Sequence, residues 1–206
     1  MKLENLKQQI EQFNAFYLIQ HPIKTNVIAI SPEQANQSMQ AFEQSMPYAF
    51  KISSEMSEIE SKALRPFRNM GEKFEDLVDY LQMQAKKMDL MLSYILQQQD
   101  EEAHRATALK FGGGGVVIES TRSSDIGSYA IVKLFLESES AAVYCIAQVI
   151  ACEQQSTEDA SSTSEDKARY EVSYAYTLIR EEDQELLVRA SLHLQTAQLR
   201  KNNSSE

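Results

Sequence analysis

Residues 74–98, FEDLVDYLQMQAKKMDLMLSYILQQ, carry apolar side chains at spacings of three and four: Phe74, Leu77, Leu81, Met88, Met91 and Ile95. Written as heptads, position a holds Phe74, Leu81, Met88 and Ile95, and position d holds Leu77, Gln84, Met91 and Gln98. Val78, Ala85 and Leu92 fall at e and widen the stripe. No Pro or Gly interrupts residues 72–102, which permits one helix of about 45 Å at 1.5 Å per residue. An apolar face this long needs a partner surface. Polar residues at two d positions favour a self-associating coiled coil, with Phe74, Leu77, Leu81, Gln84, Met88, Met91 and Ile95 as the oligomerisation residues. The competing reading is a core helix that packs on its own domain.

Upstream, Leu3, Leu6, Ile10, Phe13 and Tyr17 give a first helical face that should end before His21-Pro22. Val27 to Ile30 is short and apolar, either a strand or an extended connector. Ser31-Pro32-Glu33-Gln34 is a helix start, with Ser31 as cap, Pro32 at the first helical position and Gln34 able to reach back. Ala35, Met39, Phe42 and Met46 would form the inward face of that helix, which Pro47 ends. Ile52, Met56 and Ile59 predict a further short helix. All four prolines lie at or before position 66, so residues 1–66 read as short helices feeding a long helix at 67–105.

Downstream the pattern turns to strands. Gly112 to Gly115 precede Val116-Val117-Ile118, and the glycines are expected to act as a hinge between helix and strands, with a nest of backbone N–H groups for an anion as the alternative. Ala130, Val132, Leu134 and Leu136 alternate with Tyr129, Lys133 and Glu137, as in a half-buried strand. Ala142 to Cys152 is apolar at nearly every position, as in a strand covered on both faces. Tyr170, Val172, Tyr174 and Tyr176 share one face of another strand. Residues 153–166, Ser/Thr-rich and acidic, read as a mobile loop. A closing helix begins with the acids Glu181, Glu182 and Asp183, suited to its positive end, and carries Leu186, Leu187, Ala190, Leu194 and Ala197 as a packing stripe. The expected class is α+β: a helical N-terminal region and a long coiled-coil helix, then a small antiparallel barrel closed by a C-terminal helix.

The segments FGGGGVVIES, SDIGSYAIVKLFLE, VYCIAQVIACE and ARYEVSYAYTLIREEDQELLVRASLHLQTAQLR together resemble the PilZ family, over roughly residues 107–200. With a long heptad helix ahead of them, they are closest to its atypical branch of cyclic di-GMP receptors, for which the resemblance implies tetramers built on that helix. It implies a barrel at 106–200 and cyclic di-GMP as a ligand; the polar residues 201–206 that follow read as a disordered tail. The family grips that ligand with an R-x-x-x-R pair and a D/N-x-S-x-x-G motif; planar, permanently charged guanidinium suits phosphate and guanine alike. Placing the motif's last glycine on Gly115 puts Lys110 at the acidic position and Gly112 at the serine position; placing it on Gly114 gives Leu109 and Phe111. Arg65 and Arg68 are three apart, and Arg105 stands ahead of the first barrel strand beside His104. The ligand-binding candidates are therefore Arg65, Arg68, Arg105, Lys110, Gly112 and Gly115, in a site that departs from the family pattern.

Composition narrows the remaining classes. A net charge of −10 disfavours nucleic acid, whose phosphates demand clustered Lys and Arg. No apolar run reaches the ~20 residues of a membrane span, and the amphipathic N-terminus lacks a signal peptide's apolar core; a cytoplasmic location is expected. Cys145 and Cys152, seven apart in one strand, should face opposite ways and stay unpaired. His21, His104 and His193 are scattered without metal-ligand spacing, and no motif supports enzymatic chemistry or a cofactor. The sequence thus points to a PilZ-like regulatory or adaptor protein in cyclic di-GMP signalling, a homo-oligomer that works through contacts with other proteins. The alternatives are a genuine cyclic di-GMP receptor with a non-standard arginine set and an oligomeric scaffold with no nucleotide.

Overall fold

The structure, a computed structural model, describes residues 2–63, 75–155 and 168–203. In chain order these form α1 (Lys2–Asn14), β1 (Ile19–Ile30), α2 (Pro32–Ala35), α3 (Met39–Ser45), α4 (Tyr48–Ala63), α5 (Glu75–Gln97), β2 (Arg105–Phe111), β3 (Gly115–Ser120), β4 (Tyr129–Leu136), β5 (Ala141–Gln155), β6 (Arg169–Leu178) and α6 (Glu181–Asn203). The strands close into an antiparallel barrel in the order β1-β2-β3-β6-β5-β4. The expected α+β class with a closing C-terminal helix is what the chain adopts.

Each strand places alternate residues inside the barrel. Ala130, Val132, Leu134 and Leu136 of β4 meet Val143, Cys145, Ala147 and Val149 of β5 and Val172, Tyr174 and Tyr176 of β6 in one core. Leu186, Leu187 and Ala190 of α6 enter the same core, so the closing helix plugs the barrel. Ala197, expected in that stripe, is exposed. The other face of β4 and β5, with Phe135, Ala142, Tyr144 and Ile146, builds a second core with Ala35, Phe42, Met46 and Phe50 of the short helices and with Leu92 and Leu96 of α5. β5 is thus covered on both faces, and its unbroken apolar run follows from that.

Several expectations are corrected. The barrel is not confined to residues 106–200, because its first strand is β1 at Ile19–Ile30, pairing with both β2 and β4. His21-Pro22 does not end a helix; it lies at a register shift between Gln20 and Ile23, before β4 joins at Lys24. Proline, with no N–H to donate, fits a strand at such a bulge. The capping box at Ser31 and Gln34 is present, but the helix it opens stops at Ala35. A second cap, Ser38, starts α3, leaving Met39 exposed while Phe42 and Met46 are buried. Cys145 and Cys152 are both free, yet both lie toward the barrel core. A register shift between Val149 and Ala151 inserts one residue and reverses the alternation between them. At the C-terminal end α6 runs on to Asn203, into the segment expected to be a tail. Residues 156–167, most of the expected loop, lie outside the described residues.

The short helices are fastened to α6 by a buried ion pair. Arg180 donates to Asp183 at 2.7 and 2.9 Å, to the Ser54 hydroxyl at 2.7 Å and to the Phe50 carbonyl at 3.3 Å. Ser54 also donates to Asp183, which has no exposed surface. Burial pushes the Asp183 carboxyl up from its ordinary value, against the hydrogen bonds from Arg180 and Ser54 that favour the carboxylate.

Candidate functional site

The long helix presents two surfaces. Leu92 and Leu96, each 4% exposed, face the second core. They sit at e and b of the heptad, not at a and d. The a and d positions look away from the chain: Leu77 is 47% exposed, Met88 48%, Met91 68% and Ile95 45%, while Leu81 and Gln84 are half-buried. Tyr80, Met83, Leu90 and Tyr94 extend this exposed apolar surface. Phe74 lies outside the described residues. At 100° per residue the exposed apolar side chains cover roughly half of the helix circumference.

The lower end of α5 is clasped to the barrel. Asn26 of β1, fully buried, donates to Asp100 at 2.9 Å and to the Glu101 carbonyl at 3.2 Å, and accepts from the Glu101 N–H at 2.8 Å. Lys133 of β4, 5% exposed, reaches the Gln99 carbonyl at 3.2 Å and the Glu101 carboxylate at 2.5 Å. The Lys133 ammonium holds the Glu101 carboxyl below its ordinary value. Arg105 completes the junction with a 2.8 Å bond to Asp100 and a 3.8 Å approach to Glu102. Neither Asn26 nor Lys133 was a sequence candidate; a lysine on the polar side of a strand carries no signal of its partner.

Among the described residues the ligand-binding candidates are not gathered into one pocket. Arg65 and Arg68 lie outside the described residues. Arg105 and Lys110 stand about 17 Å apart along β2 at 3.3 Å per residue, and Lys110 approaches Glu171 at 3.8 Å. Gly112 and Gly115 close the β2–β3 hairpin, with the Gly112 N–H donating to the Gly115 carbonyl at 3.1 Å. The run is therefore a packed turn rather than a hinge between helix and barrel. A Cβ on Gly114 would stand 2.8 Å from the Gln12 carbonyl oxygen and 2.9 Å from that of Phe13. One on Gly113 would stand 2.6 Å from Val188 and 2.7 Å from Phe16. On Gly115 it would meet the Tyr174 carbonyl and the Phe13 ring, and on Gly112 the Tyr17 carbonyl. The glycines make a flat seat on which α1 and its following residues lie. Among the described residues no group of three or more His, Cys, Asp or Glu side chains is placed to hold a metal, and no helix is long and apolar enough to cross a membrane.

The arrangement has a counterpart among solved structures. A Xanthomonas campestris protein, described as a new tetrameric PilZ domain self-assembled via an unusual helical bundle, is 12% identical with a TM-score of 0.53, covering 92% of this chain and 96% of that one. MrkH of K. pneumonia in its apo state is 14% identical with a TM-score of 0.39, covering 48% of this chain and 42% of that one. No protein-family model matches the sequence, and no curated protein matches it. The first likeness, over nearly the whole of both chains, gives this chain the PilZ-type fold with its preceding helices.

Proposed function

We propose that this PilZ-fold chain is a cytoplasmic regulatory or adaptor module of cyclic di-GMP signalling, assembled as a tetramer through α5 and acting by protein–protein contact. The observation that carries the reading is the exposed apolar surface of α5 from Leu77 to Ile95, on a helix already anchored to its own barrel by Leu92 and Leu96. A two-stranded seam uses a and d alone. Here the apolar surface extends well beyond them, so each helix needs more than one neighbour. The helical bundle of the Xanthomonas tetramer supports four copies. Joining several barrels on one bundle raises avidity for a multivalent partner without stronger single contacts.

The nucleotide site is degenerate in this reading. Arg105 is engaged by Asp100 and Glu102, and Lys110 by Glu171. A bis-phosphate would have to displace these carboxylates within an acidic chain of net charge −10. Two measurements test the proposal. Light scattering of the Leu81→Asp/Met88→Asp protein should give the monomer mass, and retention of the wild-type mass overturns assembly through α5. Calorimetric titration with cyclic di-GMP should give no heat of binding. Micromolar binding abolished by Arg→Ala changes at Arg65, Arg68 or Arg105 would instead make the chain a receptor.

A further inference from the structure

A groove of about 420 Å³ lies between α6 and the residues after α1, on a surface distinct from the α5 face. Its apolar end is made by Phe16, 37% exposed, Leu192, 55% exposed, and half-buried Val188. Along α6 the spacing Glu181, Glu185, Val188, Leu192 is i, i+4, i+7, i+11. One stripe about 17 Å long therefore runs from two carboxylates to two aliphatic side chains.

Among the described residues some carboxylates are paired with a cation, and two on this stripe are not. Asp100, Glu101, Glu102, Glu119, Glu137 and Glu171 each have a Lys or Arg within ion-pair distance. Glu181 and Glu185 are exposed and have no cation partner among the described residues. On the same helix His193 is held by Glu139 at 3.2 Å, and Arg189, one turn beyond Glu185, is itself engaged. The acid end is thus open to a cation from outside, while the groove's own basic groups are occupied.

We propose that this groove docks a basic amphipathic helix of a partner protein. Apolar residues one helical turn apart on the partner would enter between Phe16, Val188 and Leu192. Lys or Arg side chains one to two turns further along would reach Glu181 and Glu185. Burial of the apolar end supplies affinity, and the two carboxylates select the sign of the partner's charge and its direction along α6. An acidic helix is excluded by the same carboxylates.

The test uses the full chain and a fluorescein-labelled, amidated helical peptide of Leu and Lys, about four turns long, compared by anisotropy with a peptide that has Glu in place of Lys. The Lys peptide should bind and the Glu peptide should not. Leu192→Asp and the double change Glu181→Lys/Glu185→Lys should each weaken binding by about tenfold or more, as expected for loss of a central anchor or of the charge match. Glu33→Lys, on α2, should leave binding unchanged, which separates docking from general attraction to an acidic protein. A photo-crosslinking version of the peptide should attach within residues 181–193. Binding of neither peptide, equal binding of both, wild-type affinity in Leu192→Asp, or attachment within residues 75–97 each overturns the proposal. An unchanged light-scattering mass for Leu192→Asp keeps the result apart from assembly through α5.

Discussion

Gly115 shows how a single missing side chain positions a helix. Its hydrogen atoms leave space for the Tyr174 carbonyl and the Phe13 ring, so any Cβ must push β6 or α1 away. Gly115→Ala is expected to destabilise the chain by about 1–3 kcal/mol, the usual cost of overpacking a close contact. The urea midpoint measures it, and an unchanged midpoint would mean that α1 does not rest on the hairpin. Glu101 sets a second expectation, in pH. Its carboxyl is held below the ordinary value of 4.5 chiefly by the hydrogen bond from Lys133 and by that ammonium's charge. A depressed folded value means that the contribution is complete above the unfolded value and is lost as pH falls through the folded one. Urea midpoints followed from about pH 6 down to about pH 3 should therefore fall less steeply for Glu101→Gln than for the wild type. Parallel curves would show that the clasp at the end of α5 adds nothing to acid stability.

The elements divide by how local their cause is. β4, β6 and α6 were legible because one face of each is apolar at its own period, and β5 because its apolar run is unbroken; their partners in the barrel only reinforce those patterns. β1 was not, because its pairing with β2 and β4 is contributed by residues more than 70 positions away, and His21-Pro22 resembles a helix stop until the bulge is seen. The glycine run was legible as a special backbone site, but its purpose depends on α1 lying against it, which no local pattern announces. The heptad of α5 showed a helix with an apolar stripe and could not show which part of the stripe belongs to the chain's own core. Leu92 and Leu96 do, from positions outside a and d. Paired substitutions separate the two surfaces. Leu92→Ala should lower the unfolding free energy by about 2–5 kcal/mol at any protein concentration, as a deletion from a packed core. Met91→Ala, at a site 68% exposed on the single chain, should leave the stability of a dilute chain within about 0.5 kcal/mol and reduce the assembled fraction by light scattering. If the two variants behave alike, the division of α5 into an inner and an outer face is wrong.

At the scale of the whole molecule, a polar clasp and an apolar core tie α5 to the barrel at its C-terminal end, while its exposed apolar surface runs along the rest. Helix and barrel therefore move as one, and whatever associates the helices also orients the barrels. Association is linked to folding by mass action, since a state that binds copies of itself is stabilised as concentration rises. The thermal midpoint should then climb with protein concentration for the wild type. For Leu81→Asp/Met88→Asp it should be independent of concentration, and it should meet the wild-type value on extrapolation to high dilution if the substitutions touch only the outer face. Calorimetric scans over a hundredfold range of concentration measure both slopes. A flat wild-type midpoint across that range, accompanied by a monomer mass, would leave the outer face of α5 without its proposed occupant and would remove the reason for reading the chain as a multivalent adaptor.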